Sequence, residues 1–134
     1  MKYMFDTNAA ISLIARKSRS LIQRVAASEP GAIAIPAMVA HELYYGAYRS
    51  ARTSFNLDIL KIFLGEFGAL PFDTEDARVA GEVRASLAAR GTPIGPFDIL
   101  IAAQGLARDL VIITNNVREF SRVDGLRIED WSAA

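Results

Sequence analysis

Apolar residues recur along this chain in two alternating rhythms. Residues 2–5 (Lys2-Tyr3-Met4-Phe5), Ala32-Ile33-Ala34-Ile35 and Leu110-Val111-Ile112-Ile113 are short, largely apolar runs with the character of buried strands of a parallel sheet. Between them lie longer stretches with helical spacing. Asp6, Thr7 and Asn8 offer N-caps for a helix over about 9–16, and Ser18 or Ser20 opens a second through Leu21-Ile22-Gln23-Arg24-Val25-Ala26. Pro30-Gly31 is a turn, Pro36 starts a helix reaching about Arg49, and residues 52–66 form another through Phe55, Leu57, Ile59, Leu60, Phe63 and Leu64. Leu70-Pro71-Phe72 reads as a brief strand or extended link, and Asp73 or Thr74 caps a helix to about Arg90. After the loop Gly91-Thr92-Pro93-Ile94-Gly95, Pro96 begins a helix to Ala107 that is apolar almost all round and must be central. Leu126 to Trp131 looks like an edge strand. Strands alternating with helices predict a single α/β domain over residues 1–134, with a mostly parallel sheet and right-handed crossovers.

Composition narrows the chemistry. At 134 residues the chain is long enough for a proper core without cross-links, and it has no cysteine, which excludes zinc fingers, iron–sulfur clusters, thiol catalysis and disulfide frameworks. The N-terminus passes straight into a strand-like run, and no apolar run is long enough to cross a membrane, so a cytoplasmic protein is expected. Formal charge is zero, so there is no general basic field for duplex DNA. Twelve of the fifteen cations are arginine, a bias that coding composition explains better than phosphate recognition does. The hydrophobic share of 51% is high for a small domain and is explained by a subunit interface or a bound partner.

Three acids stand out by position. Asp6 ends the first strand, where open α/β sheets bind their ligands and where the next helix begins. Glu42 shares its helical face with Met38, Val39, Tyr45 and Gly46, all apolar or small, so it is expected to point into something. Asp98 lies in the first turn of the central helix, on a face with Ile101, Ala102 and Gly105, and is likewise expected to face a packed interior. Singly, Asp6 and Asp98 serve as a helix cap and a first-turn dipole partner. Together with the polar run Thr114-Asn115-Asn116 after a parallel strand, they can converge on one rim of the sheet. Hard oxygen ligands, no cysteine and one histidine suit magnesium or manganese and make zinc improbable; the chemistry is then phosphoryl transfer, most simply phosphodiester hydrolysis. His41 falls on a different helical face from Glu42 and reads as structural or surface.

Four ordered motifs carry a resemblance: Phe5-Asp6-Thr7-Asn8, Val39-Ala40-His41-Glu42-Leu43 with Gly46, Gly95-Pro96-Phe97-Asp98-Ile99-Leu100-Ile101-Ala102-Ala103, and Thr114-Asn115-Asn116-Val117-Arg118-Glu119-Phe120 with Asp130-Trp131. Nearly end to end, the chain resembles the PIN-domain ribonucleases, specifically the VapC toxins of type II toxin–antitoxin pairs. The resemblance implies a three-layer α/β/α domain in which Asp6, Glu42 and Asp98 hold Mg2+, with Mn2+ as a substitute, and Thr7 and Thr114 are supporting polar groups. Many PIN domains carry a fourth acid where this chain has Asn116; the amide oxygen remains a weak ligand and Glu119 can reach in through water, which implies one firm magnesium and a second arriving with RNA. The implied reaction is attack of water on an RNA phosphodiester, leaving a 5′-phosphate and a 3′-hydroxyl.

The resemblance also implies a VapB-like antitoxin laid in a groove, homodimerisation, tRNA as the favoured RNA, and operator DNA reached only through the antitoxin. Leu21, Phe55, Leu60 and Phe63 are candidate groove walls, and Arg16, Lys17, Arg19, Arg49, Arg52 and Arg118 are candidate contacts to an RNA backbone. Two rivals are of other kinds. A haloacid-dehalogenase-type phosphatase needs a second Asp two residues after Asp6, where this chain has Asn8. A catalytically weak PIN-like subunit that binds antitoxin or RNA without cleaving is the alternative that Asn116 raises.

Overall fold

The computed structural model describes residues 1–132. Five strands, β1 (Tyr3–Phe5), β2 (Ile33–Pro36), β3 (Gly68–Leu70), β4 (Val111–Ile113) and β5 (Ile128–Glu129), form one sheet in the order β3-β2-β1-β4-β5. Every pairing is parallel: Tyr3 aligns with Ile33 and with Val111, Ala34 with Gly68, and Ile112 with Ile128. Parallel neighbours need long crossovers, and the helices supply them: α1 (Thr7–Ile14), α2 (Arg19–Ala27), α3 (Ala37–Tyr48), α4 (Thr53–Glu66), α5 (Thr74–Ala89), α6 (Pro96–Ala107) and α7 (Val117–Phe120). All four residues of β2 and all three of β4 are buried. Because successive strand side chains point to opposite faces, both faces of the sheet are covered, which is the three-layer arrangement expected from the continuous apolar runs.

Local chemistry sets the boundaries. The Asp6 side chain accepts from the Ala9 N–H and starts α1 at Thr7, two residues earlier than the apolar spacing implies. Ser18 caps α2 through the Leu21 N–H. Asp73 and Asp76 form a reciprocal capping box at the start of α5. The strand expected at 70–72 lies at 68–70. Pro71 has no N–H to give to the sheet, and its carbonyl instead accepts from Gln104 and Arg108. The edge strand expected from 126 to 131 shrinks to two residues, and the short α7, a single turn, offers too few positions for a period to be read.

The central helix is the one read as apolar all round. In α6, Ile101, Ala102 and Ala103 are wholly buried. Gly105 lets this helix lie against β4: a Cβ there would stand 3.0 Å from Ile112 Cδ1 and 3.2 Å from Leu126 Cδ1. α6 is locked to α5 by buried Asp76, which takes Arg108 Nη2 at 3.0 Å and Gln104 Nε2 at 3.3 Å. At the other edge Trp131 is buried, meets Tyr3 edge to face at 4.9 Å, and donates through Nε1 to Glu129.

Strand order decides where a site can form. From β1 the chain steps outward to β2 and β3, then returns to place β4 on the other side of β1. The order therefore reverses between β1 and β4, and a crevice opens beyond their carboxyl ends.

Candidate active site

Asp6 follows β1 and Thr114 follows β4, so the two residues face each other across that crevice. The Asp6 N–H donates to the Ile113 carbonyl, which fixes the backbone at the strand ends. Thr114 Oγ1 donates to Asp6 Oδ2 at 2.5 Å, and the other carboxylate oxygen takes the Ala9 N–H at 2.8 Å. The Thr114 hydroxyl in turn accepts from the Asn116 N–H at 2.9 Å. Both oxygens of a buried carboxylate are thus oriented by donors on two different elements.

Glu42 reaches the same rim from α3. Thr7, the first residue of α1, donates its hydroxyl to Glu42 Oε1 at 2.6 Å. On the far side, Asp98 in the first turn of α6 shares a hydrogen bond with Glu119 of α7, and Asn116 Nδ2 donates to Glu119 Oε2 at 3.1 Å. A continuous path of polar contacts therefore runs from Asp6 through Thr114 and Asn116 to Glu119 and Asp98. All seven residues singled out in the sequence are in this one region.

The electrostatics are those of crowded like charges. The Asp98 carboxyl is pushed up to about 6, first by burial and then by the negative charges of Glu119, Asp6 and Glu42. Asp6 is also raised, chiefly by burial; its bonds from Thr114 and the Ala9 N–H oppose the rise, and Glu42 and Asp130 add to it. Among the described residues no lysine or arginine forms an ion pair with Asp6, Glu42, Asp98 or Glu119.

Several expectations change. Glu42 and Asp98 are half-buried on the wall of an open cleft and do not face a packed interior; Tyr45 and Gly46, on the Glu42 face, are exposed. The sequence shows which residues share a helical face but not which faces another element covers. Glu119 lies directly against Asp98, within hydrogen-bonding reach, a contact between two acids that the sequence did not indicate. Asn116 uses its amide N–H on Glu119, the role of a positioning donor. Leu21 and Phe63 are buried core and Phe55 is exposed, whereas Leu60, although mostly buried, does wall a groove. The groove beside the site is lined by Ile11, Ile14, Leu43, Ile59 and Glu42, with a volume of about 210 Å³. His41 is exposed and lies edge to face with Phe97 at 5.4 Å, the surface role expected of it.

Asp130 was read only as part of a terminal motif, yet it adds negative charge at Asp6. Its carboxylate accepts from the Ser132 N–H and hydroxyl. Only the β4–β5 pairing brings it near, so no local signal in the chain could have marked it.

The donor set is all oxygen and strongly anionic, which fits a hard divalent cation. Among the described residues no three such side chains already converge as a metal cage; Asp6, Glu42 and Glu119 are held by hydroxyl, backbone N–H and amide donors.

Comparison with known proteins bears on the family and the fold. The PIN domain family model matches residues 3–126. A Shigella flexneri protein named tRNA(fMet)-specific endonuclease VapC is 42% identical over 132 residues, covering 98% of this chain and 99% of that protein. Ribonuclease VapC2 of Haemophilus influenzae is 35% identical, covering 98% of each. Among solved structures, DNA-bound VapBC from Salmonella typhimurium superposes with a TM-score of 0.93 at 40% identity, again over 98% of each chain. With matches this long in sequence and in fold, the chain belongs to the PIN-domain family, within its VapC group.

Proposed function

We propose that this chain is a metal-dependent endoribonuclease toxin of a VapBC-type pair, hydrolysing RNA phosphodiester bonds with tRNA as the favoured substrate. The observation that carries the reading is the set of four carboxylates, Asp6, Glu42, Asp98 and Glu119, gathered at the switch point of the sheet with no cationic side chain paired to them. A structural role would call for an arginine among them, as Arg108 serves Asp76. The VapC relatives named as ribonucleases and as a tRNA(fMet)-specific endonuclease support the substrate class.

Asp6, Glu42 and Asp98 are the residues that would hold the metal. When bound, a divalent cation in such a site neutralises phosphate charge and lowers the pKa of water. Magnesium suits an all-oxygen donor set, with manganese as a substitute. Thr7 and Thr114 keep the Glu42 and Asp6 oxygens aimed into the cleft. One of the carboxylates in this cleft, where Glu119 stands beside Asp98, would orient the attacking water or take its proton. The water oxygen forms the new bond to phosphorus while the bond to the 3′ oxygen breaks, leaving a 5′-phosphate and a 3′-hydroxyl. Asn116 donates to Glu119 beside Asp98, so Glu119 would stand in for the acid missing at position 116, which supports cleavage over a subunit that binds without cutting.

The apolar groove beside Glu42 is the proposed seat of a VapB-like antitoxin segment, in keeping with the VapBC complexes among similar structures; operator DNA would then be met through that partner. Among the described residues no helix is long and apolar enough to cross a membrane.

The test is a gel assay of antitoxin-free protein on total tRNA with magnesium, with manganese and with EDTA, alongside Asp6→Asn. Discrete fragments that require metal and vanish in the variant are expected. Intact tRNA with cut ribosomal RNA would overturn the substrate while leaving the chemistry. Folded, metal-binding protein that cuts neither would overturn the nuclease.

A further inference from the structure

Beyond the acids, α3 and the start of α4 carry an unusual surface. Tyr45, Tyr48 and Phe55 are 61%, 66% and 48% exposed, a concentration of rings that a solvated surface does not need. Two of them carry arginines: the Arg49 guanidinium lies 5.2 Å from the Tyr45 ring centroid, and that of Arg52 lies 3.9 Å from Phe55. Neither arginine is in an ion pair among the described residues, whereas Arg24, Arg78, Arg90, Arg108 and Arg127 all are. Their charge is left for a partner. The turn between the helices is braced: Ser50 Oγ donates to the Ala47 carbonyl and accepts from Asn56 Nδ2, and the Thr53 hydroxyl donates to the Ser50 carbonyl. The two ring–arginine pairs are therefore presented on a fixed support.

Their position ties them to the cleft. Tyr45 stands one helical turn beyond Glu42, and Arg49 another turn beyond Tyr45, so the series runs along α3 away from the acids over roughly 10 Å. Exposed rings paired with arginines outside any ion pair match the chemistry of single-stranded nucleic acid, whose bases stack on rings and guanidinium planes while its phosphates meet the positive charge. We propose that Tyr45, Arg49, Arg52 and Phe55 form a track for single-stranded RNA leading from the Glu42 end of the site; that it feeds a cut rests on the nuclease reading above. It also sorts the six cations picked out in the sequence, singling out Arg49 and Arg52 as the ones held against rings.

The test is fluorescence anisotropy of a labelled single-stranded RNA in EDTA, where binding is read without cleavage, across a series of salt concentrations. In the Arg49→Gln, Arg52→Gln double variant the slope of log affinity against log salt should fall by about 0.7 for each arginine removed. Tyr45→Ala and Phe55→Ala should each weaken binding at least about fivefold, with Tyr45→Phe and Phe55→Trp restoring it. Thermal melts check that each variant is folded. Parent-like binding by all of them, or no RNA binding by the parent, overturns the track. So does a change in their sedimentation without loss of RNA binding, which would assign the rings to an interface with a second copy. Cleavage by the same proteins with magnesium separates the two readings: a track that binds in a protein that never cuts removes only the nuclease, and full cleavage with binding unaltered removes only the track.

Discussion

The Thr114 hydroxyl donates to the Asp6 carboxylate at 2.5 Å, joining residues 108 positions apart and tying the end of β4 to the end of β1. This bond holds the buried acid against the pull of burial toward its neutral form. Thr114→Val keeps the shape and removes the donor. The expected result is cleavage reduced about tenfold or more at neutral pH, with the acid limb of the pH–rate profile moved upward because Asp6 becomes harder to ionise. An unmoved acid limb would show that Thr114 acts on packing and not on Asp6.

The metal-free protein should be more stable in acid than at neutrality. The folded-state pKa of Asp98, about 6, exceeds its ordinary 3.8, so between those values the folded chain binds more protons than the unfolded one. The protonated cluster's stability is fully present below the lower value and is lost as pH rises through the upper. Asp98 is half exposed, and solvent screening should hold the change to about 1–2 kcal/mol. Melting curves in EDTA should therefore show Tm falling from about pH 4 to about pH 7, with Asp98→Asn flattening the fall and raising Tm at neutrality. Magnesium added at neutral pH should raise the Tm of the parent more than that of Asp98→Asn.

Asn116 faces Glu119 through its amide at 3.1 Å. Asn116→Asp replaces that attraction with two like charges beside Asp98. In EDTA the variant should melt below the parent, and magnesium should raise its Tm by more than it raises the parent's, since a cation would relieve the added repulsion. Equal magnesium shifts in the two proteins would place Asn116 and Glu119 outside the reach of the metal.

Arg108 holds Asp76, which is buried against α6. Burial alone would raise Asp76, but the hydrogen bonds and charge of Arg108 and the Asp73 N–H outweigh it and keep its pKa below the ordinary value. Arg108→Ala should destabilise the fold by about 2–4 kcal/mol by leaving a buried charge unpaired, while cleavage at low temperature is retained. Because the folded pKa is depressed, the parent's share of stability from this pair is lost as pH falls through it. Urea melts at neutral and acid pH should converge for the parent and the variant.

Much of the fold follows from local features of the chain. Runs such as Leu110-Val111-Ile112-Ile113 are apolar at every position, which only a sheet covered on both faces tolerates, and Pro96 and Asp73 mark helix starts because their constraints act within one turn. Asp6, Glu42 and Asp98 were legible for a similar reason: each is an acid at a place where the local pattern is apolar or a strand ends. Boundaries at Pro71 and the single turn of α7 were not, because they depend on which carbonyls and N–H groups find partners elsewhere in the molecule.

What the chain by itself determined, then, is the alternation of strands and helices and the identity of the acids, since backbone propensity and side-chain periodicity are properties of neighbours in sequence. Tertiary structure alone decided that β4 lies beside β1, and with it the pairing of Thr114 with Asp6, the contact of Glu119 with Asp98 and the approach of Asp130. Those contacts span 21 to 124 positions, and they exist because burying both faces of the sheet selects one strand order from the several that the same local pattern allows.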